Sequence, residues 1–148
     1  MGLRRREVLT GVGALTFAPA LLRHAHAADT PPFALGIASG QPRVDGMVLW
    51  TRLTGAELGE RVAVRWEVAE DERFTRIVAS GEEAAEAAWA HSVHAEPTGL
   101  APDRWYWYRF SALGDRSAVG RTRTAPAVNA TATLNFAMAS CQRYDVGV

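Results

Sequence analysis

The sequence predicts an all-β fold, an antiparallel sandwich of seven short strands. Three observations carry this reading. Apolar residues alternate with polar or small ones at a period of two, turn signals recur about every ten residues, and a Tyr follows a Leu-x-Pro corner just where a sixth strand begins.

Phe33, Leu35 and Ile37 alternate with small residues and predict the first strand, broken by Ser39-Gly40-Gln41-Pro42. Asp45-Gly46 is a tight-turn signal, and Met47 to Leu53 follows as the second strand. Val62, Val64, Trp66 and Val68 form an apolar stripe against Ala63, Arg65, Glu67 and Ala69 on the other face, which defines the third. Glu70-Asp71-Glu72-Arg73 is a charged turn, and Phe74 to Ser80 reads as the fourth strand, with Ile77 and Val78 its core candidates and Gly81 its end.

Glu82 to Ala90 is Ala-rich and has helix propensity. At about two turns it is too short to stand without packing, so a strand or loop is the expectation. His91 to Leu100 gives the fifth strand, with Val93 and Ala95 on one face. Trp105 to Phe110 is the clearest strand: Tyr106, Tyr108 and Phe110 share one face, and Trp105, Trp107 and Arg109 share the other. Gly120 to Thr124 is the last strand before Ala125-Pro126. The pattern Leu100-x-Pro102-x-x-x-Tyr106 resembles the corner that leads into the sixth strand of fibronectin type III domains, where a Tyr hydroxyl bonds back to the corner backbone. The sandwich is therefore expected to be fibronectin type III or immunoglobulin-like, with no catalytic machinery of its own.

Composition sets the limits. With 148 residues the chain holds about one domain plus a tail, and 48% apolar residues argue against disorder. The 16 cationic residues are all Arg, scattered along the chain and balanced by 16 acids, so no basic face for nucleic acid stands out. A single Cys excludes an internal disulfide framework and a Cys-rich zinc site. No apolar run reaches the roughly 18 residues of a membrane-spanning helix. Trp50, Trp66, Trp105 and Trp107 suggest core packing before a stacking platform. The outward pair Trp105 and Trp107 predicts a patch that a partner domain covers in part. His91 and His94 fall on opposite faces of a strand and do not suit one shared ion.

The N-terminus reads as an address. Arg4-Arg5-Arg6-Glu7-Val8-Leu9 precedes a mildly apolar stretch with Gly11, Gly13 and Pro19, and Ala25-His26-Ala27 is a small-x-small cleavage site. The pair Arg5-Arg6 with Val8-Leu9 resembles the twin-arginine export signal. Residues 1–27 are thus expected to be a signal peptide, handed to the twin-arginine machinery, with a periplasmic or extracellular destination. Their removal leaves 12 Arg against 15 acids, a net charge of −3, and takes His24 and His26 away.

Residues 28–126 form the expected sandwich domain, and residues 127–148 begin with a small, polar linker. Leu134 to Ser140 then reads as a buried strand that ends in Ser140-Cys141-Gln142. A strand this apolar needs neighbours on both faces, so the sequence is expected to be truncated within a second domain.

Several motifs occur in a fixed order. Ser39-Gly40-x-Pro42-x-x-Asp45-Gly46-x-Val48-Leu49-Trp50-Thr51-Arg52 precedes Val64-x-Trp66-x-Val68-Ala69, His91-x-Val93-His94 and Gly99-Leu100-x-Pro102. Tyr106-x-Tyr108-Arg109-Phe110, Gly120-Arg121-Thr122-Arg123-Thr124-Ala125-Pro126 and Phe136-Ala137-x-Ala139-Ser140-Cys141-Gln142 complete the set. Together they resemble the PhoD-like alkaline phosphatases, over nearly the whole chain. The resemblance implies an exported phosphatase or phosphodiesterase that hydrolyses phosphate esters with iron and calcium. Leu134 to Gln142 would be the orphan first strand of an absent α/β metallophosphoesterase domain, and Cys141 an iron ligand of the full-length enzyme. Thiolate is a strong charged donor that favours ferric iron. The implied partner of the sandwich is its own missing C-terminal catalytic domain. The piece in hand is expected to hold no catalytic residue, to bind no metal and to be inactive. The alternative from another class is a stand-alone secreted binding module of fibronectin type III character, which would end near Pro126. An incomplete gene is a third reading.

Overall fold

The stripe Val62, Val64, Trp66 and Val68 lies at the centre of the computed structural model, which describes residues 30–131 together with Thr133, Asn135, Ala137 and Met138. Alternation puts these four side chains on the inner face of β3 (Arg61–Ala69), and Val64 and Val68 are completely buried. Each buried Val, Leu or Phe of such a core contributes about 1.5–3 kcal/mol. β3 pairs antiparallel with β4 (Ile77–Glu86) on one side and β6 (Trp105–Ala112) on the other. β6 also pairs with β7 (Asp115–Arg116) and β8 (Gly120–Arg123), which completes a five-stranded sheet. The facing sheet has three strands in the order β1 (Ile37–Gly40), β2 (Val48–Arg52), β5 (Ser92–Ala95). Leu49, Val93 and Ala95 of this sheet, with Met47 just before β2, share one buried core with Val64, Val68, Tyr106 and Phe110. The chain crosses between sheets at β2–β3, β4–β5 and β5–β6, which gives the expected antiparallel sandwich.

Tyr106 makes the predicted corner. Its ring is buried and its hydroxyl accepts the backbone N–H of Ala101 at 2.9 Å. Thr124 locks the same corner from the other end: its hydroxyl donates to the Ala101 carbonyl at 2.7 Å and accepts the Arg104 N–H at 3.0 Å. Two inward aromatics lean on glycines directly across the ladder, Trp66 on Gly81 and Tyr108 on Gly120. A Cβ at either glycine would come within 2.5 Å of the facing ring, so neither position accepts a side chain without moving it.

Several elements differ from expectation. Phe33 is buried, but in a turn and not in a strand: Ala34 N–H bonds to the Pro31 carbonyl and Gly36, at φ +77°, bonds back to Phe33. Prolines at 31 and 32 and the left-handed glycine curl the segment, so β1 starts at Ile37 and runs through Ser39-Gly40. Ile77 and Val78 are 45% and 44% exposed and not core. The register shifts between Val68 and Ala69, leaving Val78 without a partner, and the inward face of β4 is made by Ala79, Gly81, Glu83 and Ala85, with Gly81 beneath the Trp66 ring. The Ala-rich stretch continues β4 to Glu86 and closes in one 3-10 turn, Ala87–Trp89. Trp50 lies half-buried on the outer face of β2, between Ala38 and His94, because Leu49 and Thr51 take the inner face.

Asp71 organises the turn between β3 and β4. Its carboxylate accepts the N–H groups of Arg73, Thr75 and Arg76 and the Thr75 hydroxyl, at 2.9–3.1 Å. The Thr75 N–H, the largest contributor, and its companions hold the Asp71 carboxyl below its ordinary value.

Two outcomes follow. Tyr106→Phe leaves the Ala101 N–H without its acceptor and lowers stability by about 1–2 kcal/mol in chemical denaturation. A carboxyl with a depressed native value stabilises the fold above about pH 4, and this is lost as pH falls through that native value. The stability gap between wild type and Asp71→Asn therefore closes on acidification, measured by denaturation at a series of pH values.

Candidate functional site

Corner geometry decides what β6 offers to solvent. With Tyr106, Tyr108 and Phe110 inward, Trp105, Trp107 and Arg109 point outward beside the outer residues of β8, Arg121 and Arg123. The register sets Trp107 opposite Arg121 and Trp105 opposite Arg123. The Arg121 guanidinium lies 4.0 Å from the Trp105 ring centroid and 5.6 Å from that of Trp107, and Arg123 approaches Trp105 from 5.5 Å. Arg123 is also paired with Asp103 at 2.7 Å. On the next row Arg109 lies 3.9 Å above the Phe74 ring and bonds the Glu67 carboxylate at 2.8 Å. The outer face is thus an interleaved row of indoles and guanidinium groups, a pairing favoured by the ring quadrupole.

Trp107 is half-buried, whereas Trp105 remains 43% exposed. So the predicted patch is smaller than the sequence suggests, since Arg121 covers part of it from within the domain. Trp105 also borders a hollow of about 540 Å³, with Pro42, Arg123, Pro126, Thr133 and Asn135 among its walls.

Several acidic groups elsewhere are occupied. Glu70, mostly buried, is held between Arg76 and Arg104, and Glu96 pairs with Arg43 at 2.9 Å. His91 has its Nε2 2.8 Å from the Gly59 carbonyl, and His94 is exposed on the outer face of β5. His91, at φ +55°, lies in the turn before β5 and not on the strand where the alternation placed it. Among the described residues no three His, Cys, Asp or Glu side chains converge as a metal cage would require, so this part of the chain does not fit iron or calcium.

Cys141, the arginine pair and the cleavage site all lie outside the described residues, as do Leu134, Phe136 and Ser140. Of the expected strand there, Asn135, Ala137 and Met138 are exposed and belong to neither sheet. No helix among the described residues is long and apolar enough to cross a membrane.

Arg121 and Arg123 are the residues that sequence reasoning missed as partners of the tryptophans. The signal was present, since two Arg at a spacing of two in one strand match two Trp at a spacing of two in another. What it lacked was the register.

The fold is a fibronectin type III-like sandwich whose outer face carries an interleaved row of indoles and guanidinium groups. The family described as "PhoD-like phosphatase, N-terminal domain" matches residues 17–126, and the chain belongs to that family. The chain is 48% identical over 123 residues to "Alkaline phosphatase D" of Bacillus subtilis (strain 168), a match that covers 78% of this chain and 21% of that protein. The solved "Structure of PhoD" superposes with a TM-score of 0.66 at 48% identity, covering 68% of this chain and 20% of the other. The chain therefore spans about a fifth of the length of these relatives.

Removing the Arg121 guanidinium bares both indoles. Arg121→Ala should cost about 0.5–1 kcal/mol of stability and change the Trp fluorescence, read together in one denaturation series.

Proposed function

We propose that this chain is the N-terminal part of an exported alkaline phosphatase or phosphodiesterase that hydrolyses phosphate esters. What carries the reading is the 48% identity to Alkaline phosphatase D over 123 residues, taken with the small share of that protein the chain spans. The sandwich is the non-catalytic domain of such an enzyme, and the chemistry belongs to the part that follows. Cys141 is the first ligand of an iron centre, a role supported by the ordered motifs that run up to Phe136-Ala137-x-Ala139-Ser140-Cys141-Gln142. Iron with calcium, bound in the catalytic part, would polarise the phosphoryl oxygen and acidify a water. Export by the twin-arginine route is supported by Arg5-Arg6-Glu7-Val8-Leu9 and the cleavage motif Ala25-His26-Ala27, and places the enzyme in the periplasm or outside the cell.

Residues 28–148 alone should release no chromophore from a chromogenic phosphate ester with iron and calcium supplied. The longer protein should turn it over, and Cys141→Ala in that protein should abolish both turnover and bound iron. Wild-type turnover and iron content in the variant would remove Cys141 from the centre. A longer protein without phosphate-ester hydrolysis would leave a secreted binding module as the better description.

A further inference from the structure

We infer that the outer face of β6 and β8, centred on Trp105 and Arg121, is the docking surface for the part of the same polypeptide that follows Pro126. The inference rests on the reading of this chain as one domain of a longer phosphatase, and it assigns the residues through which that domain is held.

Four observations converge on this face. Trp105 is a large apolar ring, 43% exposed, beside a hollow of about 540 Å³ whose walls include Pro42 and Pro126. Its ring lies beneath the guanidinium groups of Arg121, at 4.0 Å, and Arg123, at 5.5 Å. Trp and Arg clusters of this kind are the residues that anchor interfaces. Arg121 differs from Arg123 and Arg109 in having no carboxylate within ion-pair distance among the described residues. Arg121 is exposed while its guanidinium lies over the indoles, and a partner carboxylate fits it.

Chain direction identifies the occupant. β8 ends at Arg123, Thr124 to Pro126 line the hollow, and Thr133 and Asn135 stand on the same hollow. The polypeptide thus leaves the sandwich along the Trp105 face. About four-fifths of the length of Alkaline phosphatase D lies outside the match, so a large body is expected to begin here. A body tethered through so short a linker meets the face at high effective concentration, and a modest patch suffices to hold it. The partner chemistry is an apolar surface that carries a carboxylate opposite Arg121.

Hydroxyl-radical footprinting read by mass spectrometry tests this on the 148-residue chain and on the longer protein. Trp105 oxidation should fall about fivefold or more in the longer protein, as in the desolvated centre of an interface. Trp89, 73% exposed in the 3-10 turn after β4, serves as the control and should react equally in both. Equal reactivity of Trp105 in the two proteins overturns the inference. So does a protection of Trp105 in the 148-residue chain that grows with its concentration, which would identify a second copy as the occupant. A reading frame that closes after Val148 overturns it as well. In the longer protein Arg121→Glu should bring Trp105 to the reactivity it has in the 148-residue chain with the same substitution, and protection relative to that chain overturns the carboxylate contact. Phosphate-ester hydrolysis is measured in parallel. Hydrolysis with an unprotected Trp105 removes the docking surface and leaves the phosphatase reading, and a protected Trp105 without hydrolysis does the reverse.

Discussion

The hydrogen bond from the Ala101 N–H to the Tyr106 hydroxyl fixes the parity of β6, and most of the structure depends on that parity. A strand has two faces and side chains that alternate between them, so one inward anchor decides every other position. With Tyr106 pinned inward, Tyr108 and Phe110 join the core and Trp105, Trp107 and Arg109 are sent to the surface. Slipping the strand by one residue would bury Arg109 and bring two indoles against Val64 and Val68. The Thr124 hydroxyl, bonded to Ala101 and Arg104, ties the end of β8 to the same corner. One loop therefore sets both the core side of β6 and the neighbour that flanks its outer side.

This explains why the sandwich was legible in the sequence while its outer face was not. Alternation in β3 and β6 is a local property of the chain, and so is the spacing from Leu100 to Tyr106. Both can be read without knowing which strand lies beside which. Ile77 and Val78 look like core residues by type, but a shift of register opposite Val68 and Ala69 is a property of two strands at once. The glycine at 81 looks like a strand end, whereas it is the space that the Trp66 ring occupies across the ladder. Phe33 is buried but not in a strand, because burial follows from its side chain and conformation from Pro31, Pro32 and Gly36. At the candidate site the tryptophans were visible and their arginines were not, since the Trp107–Arg121 pairing exists only in the register of β6 and β8. Cys141 stood out only through the order of motifs around it.

The use of Arg to the exclusion of Lys matters at this face. A guanidinium is flat, so it can lie on an indole and still present its N–H groups at the edge, whereas an ammonium is a point charge that offers one contact or the other. Arg109 does both at once, above Phe74 and against Glu67. Arg121 makes the first kind of contact with Trp105 and Trp107 and leaves the second to be made. A lysine at 121 would neutralise a facing carboxylate but leave the indoles wet.

Several charges of this domain are spent within it. Glu67, Glu70, Glu96 and Asp103 each meet an arginine, and Asp71 is bound into a turn. Carboxylates committed in this way are poor metal ligands, because each would have to break an ion pair or a set of hydrogen bonds first. His91 is likewise held by the Gly59 carbonyl. On the Trp105 face an exposed indole and Arg121 lie beside the path the chain takes after β8. The Trp105 face, where the chain leaves the sandwich, is where its geometry leaves room to hold another part of the protein.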